Sequence, residues 1–255
     1  MEACRVCGSH AEAFDEARLL GKYVVKYFRC PSCGFIQTET PYWLEEAYSA
    51  AILDADIGLP SRNVWLSGKV PVILSLCLPE CKSFLDYGGG YGMFVRLMRD
   101  AGVPFEWFDK YCENLFAKHF EKSQDTYDLV TAFELVEHLP HPWEEFQEIL
   151  SLGENFLFMT ELLPDPPPKV SDWWYYGTYG GQHIAFYTKK SLQYLSEKFQ
   201  RHYVGCGNLH LFSKKAVSQG KFWLSVRFAP LIHRLFRRQS LLFSDYQSIT
   251  GEKII

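Results

Sequence analysis

No run in this 255-residue chain approaches the about eighteen uninterrupted apolar residues of a membrane-spanning helix. Its first residues, MEACRVCG, also lack the charged segment followed by an apolar one that marks a secretory leader. Both absences predict a cytoplasmic protein without a transmembrane segment. A basic excess is missing too: 26 Lys and Arg against 30 Asp and Glu leave a formal charge of -4. Nucleic acid, whose binders usually carry a positive stripe, is therefore not the expected partner. There is no low-complexity run, and no internal repeat beyond two cysteine pairs.

What is present is enough apolar residue, 47% of the chain, to bury one full-sized core and carry a small appended module. Eight cysteines in a reducing compartment are read for metal before disulfides. Cys4-Arg-Val-Cys7-Gly8 and Cys30-Pro-Ser-Cys33-Gly34 are two C-x-x-C-G knuckles. Each wraps one turn, and the glycine after each pair permits the left-handed backbone that aims amides at sulfur. The 22 residues between them suit a hairpin. Four thiolates make a closed tetrahedral zinc site with no position for water, so Cys4, Cys7, Cys30 and Cys33 predict a structural Zn2+. Cys77, Cys81, Cys112 and Cys206 read as core or surface thiols.

From Pro41 to Leu78 the spacing is helical, with apolar residues at Leu44, Ala47, Tyr48, Ala51 and Ile52, then Val64, Leu66, Val70, Ile73 and Leu74. Beyond it strand and helix patterns alternate: SFLDYG, YGMFVRLMRDAG, PFEWFD, ENLFAKHF, YDLVTAFE, PWEEFQEILSL and NFLFMTEL. Such alternation predicts an α/β fold with a parallel sheet and crossover helices. Between Phe116 and Tyr127 there is room only for a very short extended piece around Phe120, so the third strand is trimmed. An irregular segment rich in Pro and Trp, DPPPKVSDWWYYGTYGGQHIAFYT, precedes the helix KKSLQYLSEKFQ. RHYVGCG and LHLFSKK are nearly contiguous and predict a hairpin that puts a final antiparallel strand on the sheet. In the last forty residues FAPLIHRLFRRQSLLF is basic and amphipathic, suited to a membrane surface, a partner, or the domain's own core.

Asp86-Tyr87-Gly88-Gly89-Gly90-Tyr91-Gly92 follows an apolar strand and opens an amphipathic helix, where a glycine loop lets backbone amides approach a ligand. Its D-x-G-x-G-x-G spacing departs from the G-x-G-x-x-G of dinucleotide sites, and a carboxylate before the glycines repels pyrophosphate while attracting an ammonium group. Asp109 ends the second strand 23 residues later, where an acid accepts both ribose hydroxyls; on that point alone NAD would serve equally.

Through LDYGGGYG, WFDKY and YDLVTAFELVEHLPHP the chain resembles the class I, Rossmann-like S-adenosylmethionine-dependent methyltransferases over roughly Ser83 to Lys215. The resemblance implies that Ala132, Phe133 and Glu134 lie beside the cofactor and that Glu137 to Leu139 begin the next helix. With the third strand trimmed, Phe120 or Glu121 stand as candidates for the adenine contact. CRVCG together with QHIAFYTKKSL looks like the sugar C-methyltransferases, which carry a similar zinc module and a Glu-His pair with the His as base. Here that pair is Gln182 and His183.

These readings divide the chain into a zinc ribbon (1–40), a helical linker or lid (41–80), a methyltransferase domain (81–215) and a C-terminal extension (216–255). A sulfonium methyl is already activated, so the protein needs only to align a nucleophile in line at about 3 Å and exclude water. His183 is the candidate base, with Gln182 orienting it or the substrate, or else a packed core histidine. Trp173, Trp174, Tyr175, Tyr176 and Tyr179 are a candidate wall for a small-molecule acceptor, or a subdomain or dimer contact. Tyr48 and Arg62 are candidates to close over the cofactor's carboxylate, Arg62 with a surface salt bridge as its rival role. The expected function is methylation of a small molecule, first at carbon in a keto-sugar-type substrate and second at oxygen. The rival is an inert platform whose ribbon docks a partner.

Overall fold

The computed structural model describes residues 2–49, 54, 56–236 and 238–252; Ala51 and Ile52 of the first helical pattern lie outside them. Short strands β1 (Glu2–Ala3), β2 (His10–Leu19), β3 (Tyr23–Arg29) and β4 (Ile36–Thr38) form an antiparallel ribbon. Its hairpin spans the interval between the two knuckles, as the spacing predicts. α1 (Leu44–Ala47) is a single turn, and α2 (Leu59–Cys77) is long. The N-terminal turns of α2 border the cofactor-loop cavity, while Leu66, Val70, Ile73 and Leu74 pack into the core. Val64 instead faces solvent.

The main sheet has the order β10-β11-β8-β7-β5-β6, built from β5 (Phe84–Tyr87), β6 (Phe105–Phe108), β7 (Tyr127–Phe133), β8 (Gly153–Met159), β10 (His202–Cys206) and β11 (Leu209–Ser213). The pairs β5–β6, β5–β7 and β7–β8 are parallel, whereas β11 runs antiparallel to both β8 and β10. That is the mixed sheet the hairpin required. The trimmed third strand survives as one parallel bridge, Trp107 to Glu121. ENLFAKHF, expected to be a helix, is a series of bends. Asn114 ends the pattern there: its Oδ1 accepts from the Ala117 amide at 2.9 Å and its Nδ2 donates to the Ala117 carbonyl at 2.8 Å, so the side chain replaces the helical ladder.

Helices cover both faces, each burying an apolar stripe against strands that are themselves apolar on both sides. α3 (Met93–Asp100) and α6 (Gln219–Arg227) join α2 on one face, where Phe94, Val95, Met98, Phe222 and Val226 meet Phe84 and Phe105. α4 (Pro142–Leu152) and α5 (Lys189–Lys198) cover the other with Phe146, Ile149, Leu192 and Leu195. α5 starts at a capping box in which the Thr188 side chain accepts from the Ser191 amide and the Ser191 hydroxyl accepts from the Thr188 amide. The ribbon packs on this second face: Cys4, Val6, Ala11, Cys30, Cys33 and Phe35 share one cluster with Leu85, Val130 and Phe156. The ribbon sheet also takes its fifth strand, β9 (Ala185–Phe186), from the far end of the chain.

The last residues fold back through α7 (Ala229–Ile232) and α8 (Leu242–Thr250). Asp245 on α8 accepts from two Arg99 nitrogens, Nε at 2.9 Å and Nη2 at 2.6 Å, a buried bidentate pair that pins α8 to α3. Most apolar residues of the basic stretch face solvent: Ala229 is buried, while Leu231, Leu235, Leu242 and Phe243 are exposed. Among the described residues no helix is long and apolar enough to cross a membrane.

Candidate functional site

Asp86 is the third residue of β5 and is buried, its Oδ1 accepting from the Thr131 hydroxyl at 2.7 Å on neighbouring β7. Burial pushes this carboxyl up to about 7, the Thr131 bond opposing and Asp109 adding to the rise. The chain then turns in the glycine loop. Gly88 and Gly89 donate to the Phe108 carbonyl at 2.8 and 3.1 Å, and Gly92, at φ 84°, starts α3. Any side chain at Gly92 would meet Asn114 Oδ1 at 2.8 Å as well as adopt an unfavourable φ.

Asp109 reaches back across the loop. Its Oδ2 accepts from the Gly90 amide at 2.9 Å and its Oδ1 from the amides of Tyr111 and Cys112 at 2.7 and 2.8 Å. The strand-end acid and the glycine loop are therefore one unit. Trp107 Nε1 locks it further by donating to the Gly90 carbonyl at 2.8 Å. The cavity over the loop is lined by Asp86, Gly88, Gly90, Arg62, Phe116 and Phe133.

Other expected cofactor residues divide by the two-residue period of a strand. Phe133 lines the cavity, edge-on to Phe94, while Ala132 is buried in the opposite face's core. Tyr87 likewise leaves the cavity side, its hydroxyl donating to Glu148 on α4 at 2.9 Å, so only its backbone serves the loop. Arg62 borders the cavity, but both guanidinium bonds go to Asp56 at 3.0 and 2.7 Å. Phe120 stacks under the Arg99 guanidinium and Glu121 accepts from Asn114 through Oε1. Phe116, half exposed at the cavity wall, is the aromatic that the helical reading of its segment hid.

A second cluster lies just beyond β7. Glu134 adopts φ 54°, and the following Val136–His138 forms a 3-10 turn where the sequence suggested the start of a helix. The turn sends Glu137 and His138 toward His183, and one ligand atom from each lies within 4.8 Å of the others. Glu137 is fully buried; its Oε1 accepts from the Tyr175 hydroxyl at 2.6 Å, while its Oε2 is buried without a partner. His183 Nδ1 lies 2.6 Å from the Tyr175 carbonyl, which fixes the proton on Nδ1 and leaves Nε2 with its lone pair. His138 Nδ1 sits 3.0 Å from the Tyr48 hydroxyl. Tyr48 is thus placed on this cluster. Gln182 does not orient His183: its amide donates to the Ala47 carbonyl at 2.8 Å and ties down α1.

Burial raises the Glu137 carboxyl, with the His183 charge opposing. Burial and then Glu137 push Glu134 up to about 9, with Arg62 opposing. His138 is held well below the ordinary imidazole range by burial and by His183, against the pull of the Gln182 carbonyl.

The aromatic segment is mostly core, although Trp173 and Trp174 line an open cavity with Asp15 and Lys169. Trp173 and Tyr176 pack with Tyr27 and Phe186 in the ribbon's own cluster, and Tyr175 is buried between Glu137 and Thr160. A 3-10 turn over Trp174–Tyr176 folds them inward. Trp174 and Tyr179, each 75% exposed, are the two that face solvent.

At the N-terminus, Cys4 Sγ lies 3.6 Å from Cys33 Sγ and Cys7 Sγ 3.5 Å from Cys30 Sγ, and all four sulfurs fall within 4.8 Å of one another. A tetrahedron with Zn–S bonds of about 2.3 Å has edges of about 3.8 Å, so the set fits a zinc ion. Gly8 and Gly34 take φ of 73° and 77° and donate to the Cys4 and Cys30 carbonyls, the turn the motif called for. Cys77, Cys81 and Cys206 pack at the edge of the core.

The model of a methyltransferase domain family matches residues 66–200, more than half of the chain. No curated protein matches it. Among solved structures, the plantazolicin methyltransferase in complex with a monoazolic desmethyl analogue and SAH is 13% identical; the match covers 77% of this chain and 87% of that one, with a TM-score of 0.50. An O-methyltransferase family protein from Burkholderia thailandensis is also 13% identical, covering 68% of this chain and 62% of that one at a TM-score of 0.49. This chain spans only about three-fifths of that protein's length. Magnesium protoporphyrin IX methyltransferase from Synechocystis PCC 6803, with bound SAH, is 11% identical, covering 66% and 90% at 0.45. At such identities the likeness concerns the fold. Strand order, glycine loop and family match agree, and the chain belongs to the methyltransferase domain family, with the sheet of the class I S-adenosylmethionine-dependent enzymes.

Proposed function

We propose that the chain transfers the methyl group of S-adenosylmethionine to a small-molecule acceptor held at the corner of Glu137, His138 and His183. The observation that carries this reading is the pair of sites at the ends of β5 and β7: a glycine loop locked by Asp109, and beside it two imidazoles and a buried carboxylate converging on one point. A hydroxyl acceptor fits that convergence better than the keto-sugar carbon to which the Gln182–His183 resemblance points. Deprotonating a carbon needs one base in line, whereas three converging donors bind an oxygen. The four cysteines hold a structural zinc ion, and eight cysteines outside any disulfide suit a reducing cytoplasm.

Calorimetry with S-adenosylmethionine and S-adenosylhomocysteine on the zinc-loaded protein, with NAD as control, tests the cofactor. Binding of the first two alone is the expected result; no binding would leave the inert platform. Asp109→Ala removes the acid that holds the glycine loop, so affinity should fall about tenfold to a hundredfold. Unchanged affinity would remove Asp109 from the site.

The buried Asp86 also makes binding pH-dependent. Below about 7 its carboxyl is protonated and neutral; above it the carboxylate forms and attracts the cofactor's ammonium group. Affinity should therefore rise from pH 6 to pH 8, by at most about tenfold per pH unit, and Asp86→Asn should flatten the profile. A profile equally steep in the variant would assign the titration elsewhere.

A further inference from the structure

We propose that Glu137, His138 and His183 form a second metal site, distinct from the four-cysteine site, that binds a divalent first-row transition ion and leaves positions open toward the acceptor. The donor atoms lie within 4.8 Å of one another, close enough to share one ion. Imidazole and carboxylate together suit the middle and late first-row ions.

Two further observations support an ion there. The first is the fully buried Glu137, whose Oε2 has no partner although burial of an unpaired carboxylate oxygen is costly. The second is the arrangement around the donors: His183 Nδ1 is fixed by the Tyr175 carbonyl at 2.6 Å, His138 Nδ1 by the Tyr48 hydroxyl at 3.0 Å, and Glu137 Oε1 by the Tyr175 hydroxyl at 2.6 Å. Outer partners of this kind set the orientation of metal-binding histidines, and at His183 the carbonyl partner leaves Nε2 for the ion.

The site deepens the methyltransferase reading by naming an acceptor class: a small molecule whose hydroxyl is flanked by a second oxygen donor, so that both can occupy open positions. Coordination lowers the pKa of the hydroxyl, whose proton leaves to water. The oxygen lone pair then forms the O–CH3 bond as the S–CH3 bond breaks, its electron pair staying on sulfur. The products are the methyl ether, S-adenosylhomocysteine and one proton.

The test titrates Co2+ alone into full-length protein already carrying one equivalent of zinc. The expected result is one further equivalent with weak visible bands of nitrogen and oxygen ligation and no thiolate charge-transfer band. Glu137→Gln, which keeps an acceptor for Tyr175, and His138→Ala should each weaken that binding about a hundredfold or more, and Tyr48→Phe about tenfold. Uptake of no second equivalent would overturn the proposal, as would a second equivalent bound equally well by the Glu137 and His138 variants. If either variant fails to fold, the conservative Tyr48→Phe decides by the same shift. S-adenosylhomocysteine affinity, measured in parallel, separates the two claims: binding without a second cobalt site sinks only the metal, and a cobalt site without binding sinks only the methyltransferase reading.

Discussion

Stripping the metal from the four-cysteine site, or replacing Cys30 with Ser, is expected to collapse the second face of the main sheet and not the ribbon alone. Zinc binding to four thiolates contributes about 10 kcal/mol or more to folding at neutral pH. That energy is spent on residues that the catalytic domain also uses. Cys4, Cys30, Cys33 and Phe35 share one cluster with Phe146, Phe156 and Tyr187, and Phe35 lies against the Tyr187 ring at 5.0 Å. Thr188, the N-cap of α5, donates its hydroxyl to the Cys33 carbonyl at 2.7 Å, so the second knuckle also positions that helix. β4 pairs with β9, two residues from His183. Loss of the ion should therefore appear as one melting transition shifted downward, followed together by far-ultraviolet ellipticity and tryptophan fluorescence, with cofactor binding lost in parallel. A ribbon that melts first and alone, leaving S-adenosylhomocysteine affinity intact, would show that the shared core does not couple the two.

The knuckles and the glycine loop were legible in the sequence because their function depends on residue type at short, fixed spacing. A C-x-x-C-G turn brings two sulfurs together wherever it occurs, and a glycine loop after a strand needs little context. The alternation of strands and helices was legible for a similar reason, since each element carries its own period. What escaped was set by distant parts of the chain. Ala185–Phe186 is too short to have a period, so nothing marked it as the ribbon's fifth strand. Asn114 overrode a helical pattern with a single side chain. The aromatic run from Trp173 to Tyr179 is rich in surface area, but composition does not say which rings turn inward; three of the five are held by the core. Glu137 and His138 read as the start of a helix because their partner, His183, is remote in sequence and only the 3-10 turn brings it near.

Gly89→Val is the substitution expected to cost the cofactor most. Gly89 has an ordinary φ, so the argument is one of space and not of backbone freedom. A Cβ there would stand 2.7 Å from Trp107 Cδ1 and 2.9 Å from Asp86 Oδ2, and neither neighbour can move freely. The indole is held by its bond to the Gly90 carbonyl, and Asp86 is buried and bonded to Thr131. Even a methyl must therefore displace the indole, which carries the loop with it, or the Asp86 carboxyl. Overpacking of this kind costs about 1 to 3 kcal/mol, and valine adds two more carbons to the same crowding. Taken from binding, that is about fivefold to a hundredfold or more in S-adenosylmethionine affinity. Gly68→Ala is the contrast: it lies within α2 with no atom within 4 Å of a new Cβ, so alanine should raise stability by up to about 1 kcal/mol and leave affinity unchanged. If Gly89→Val bound the cofactor as tightly as the parent, the amides of this loop would not be the cofactor's cradle, and the pocket would have to be sought beyond β7, where Glu134 leads into the second cluster.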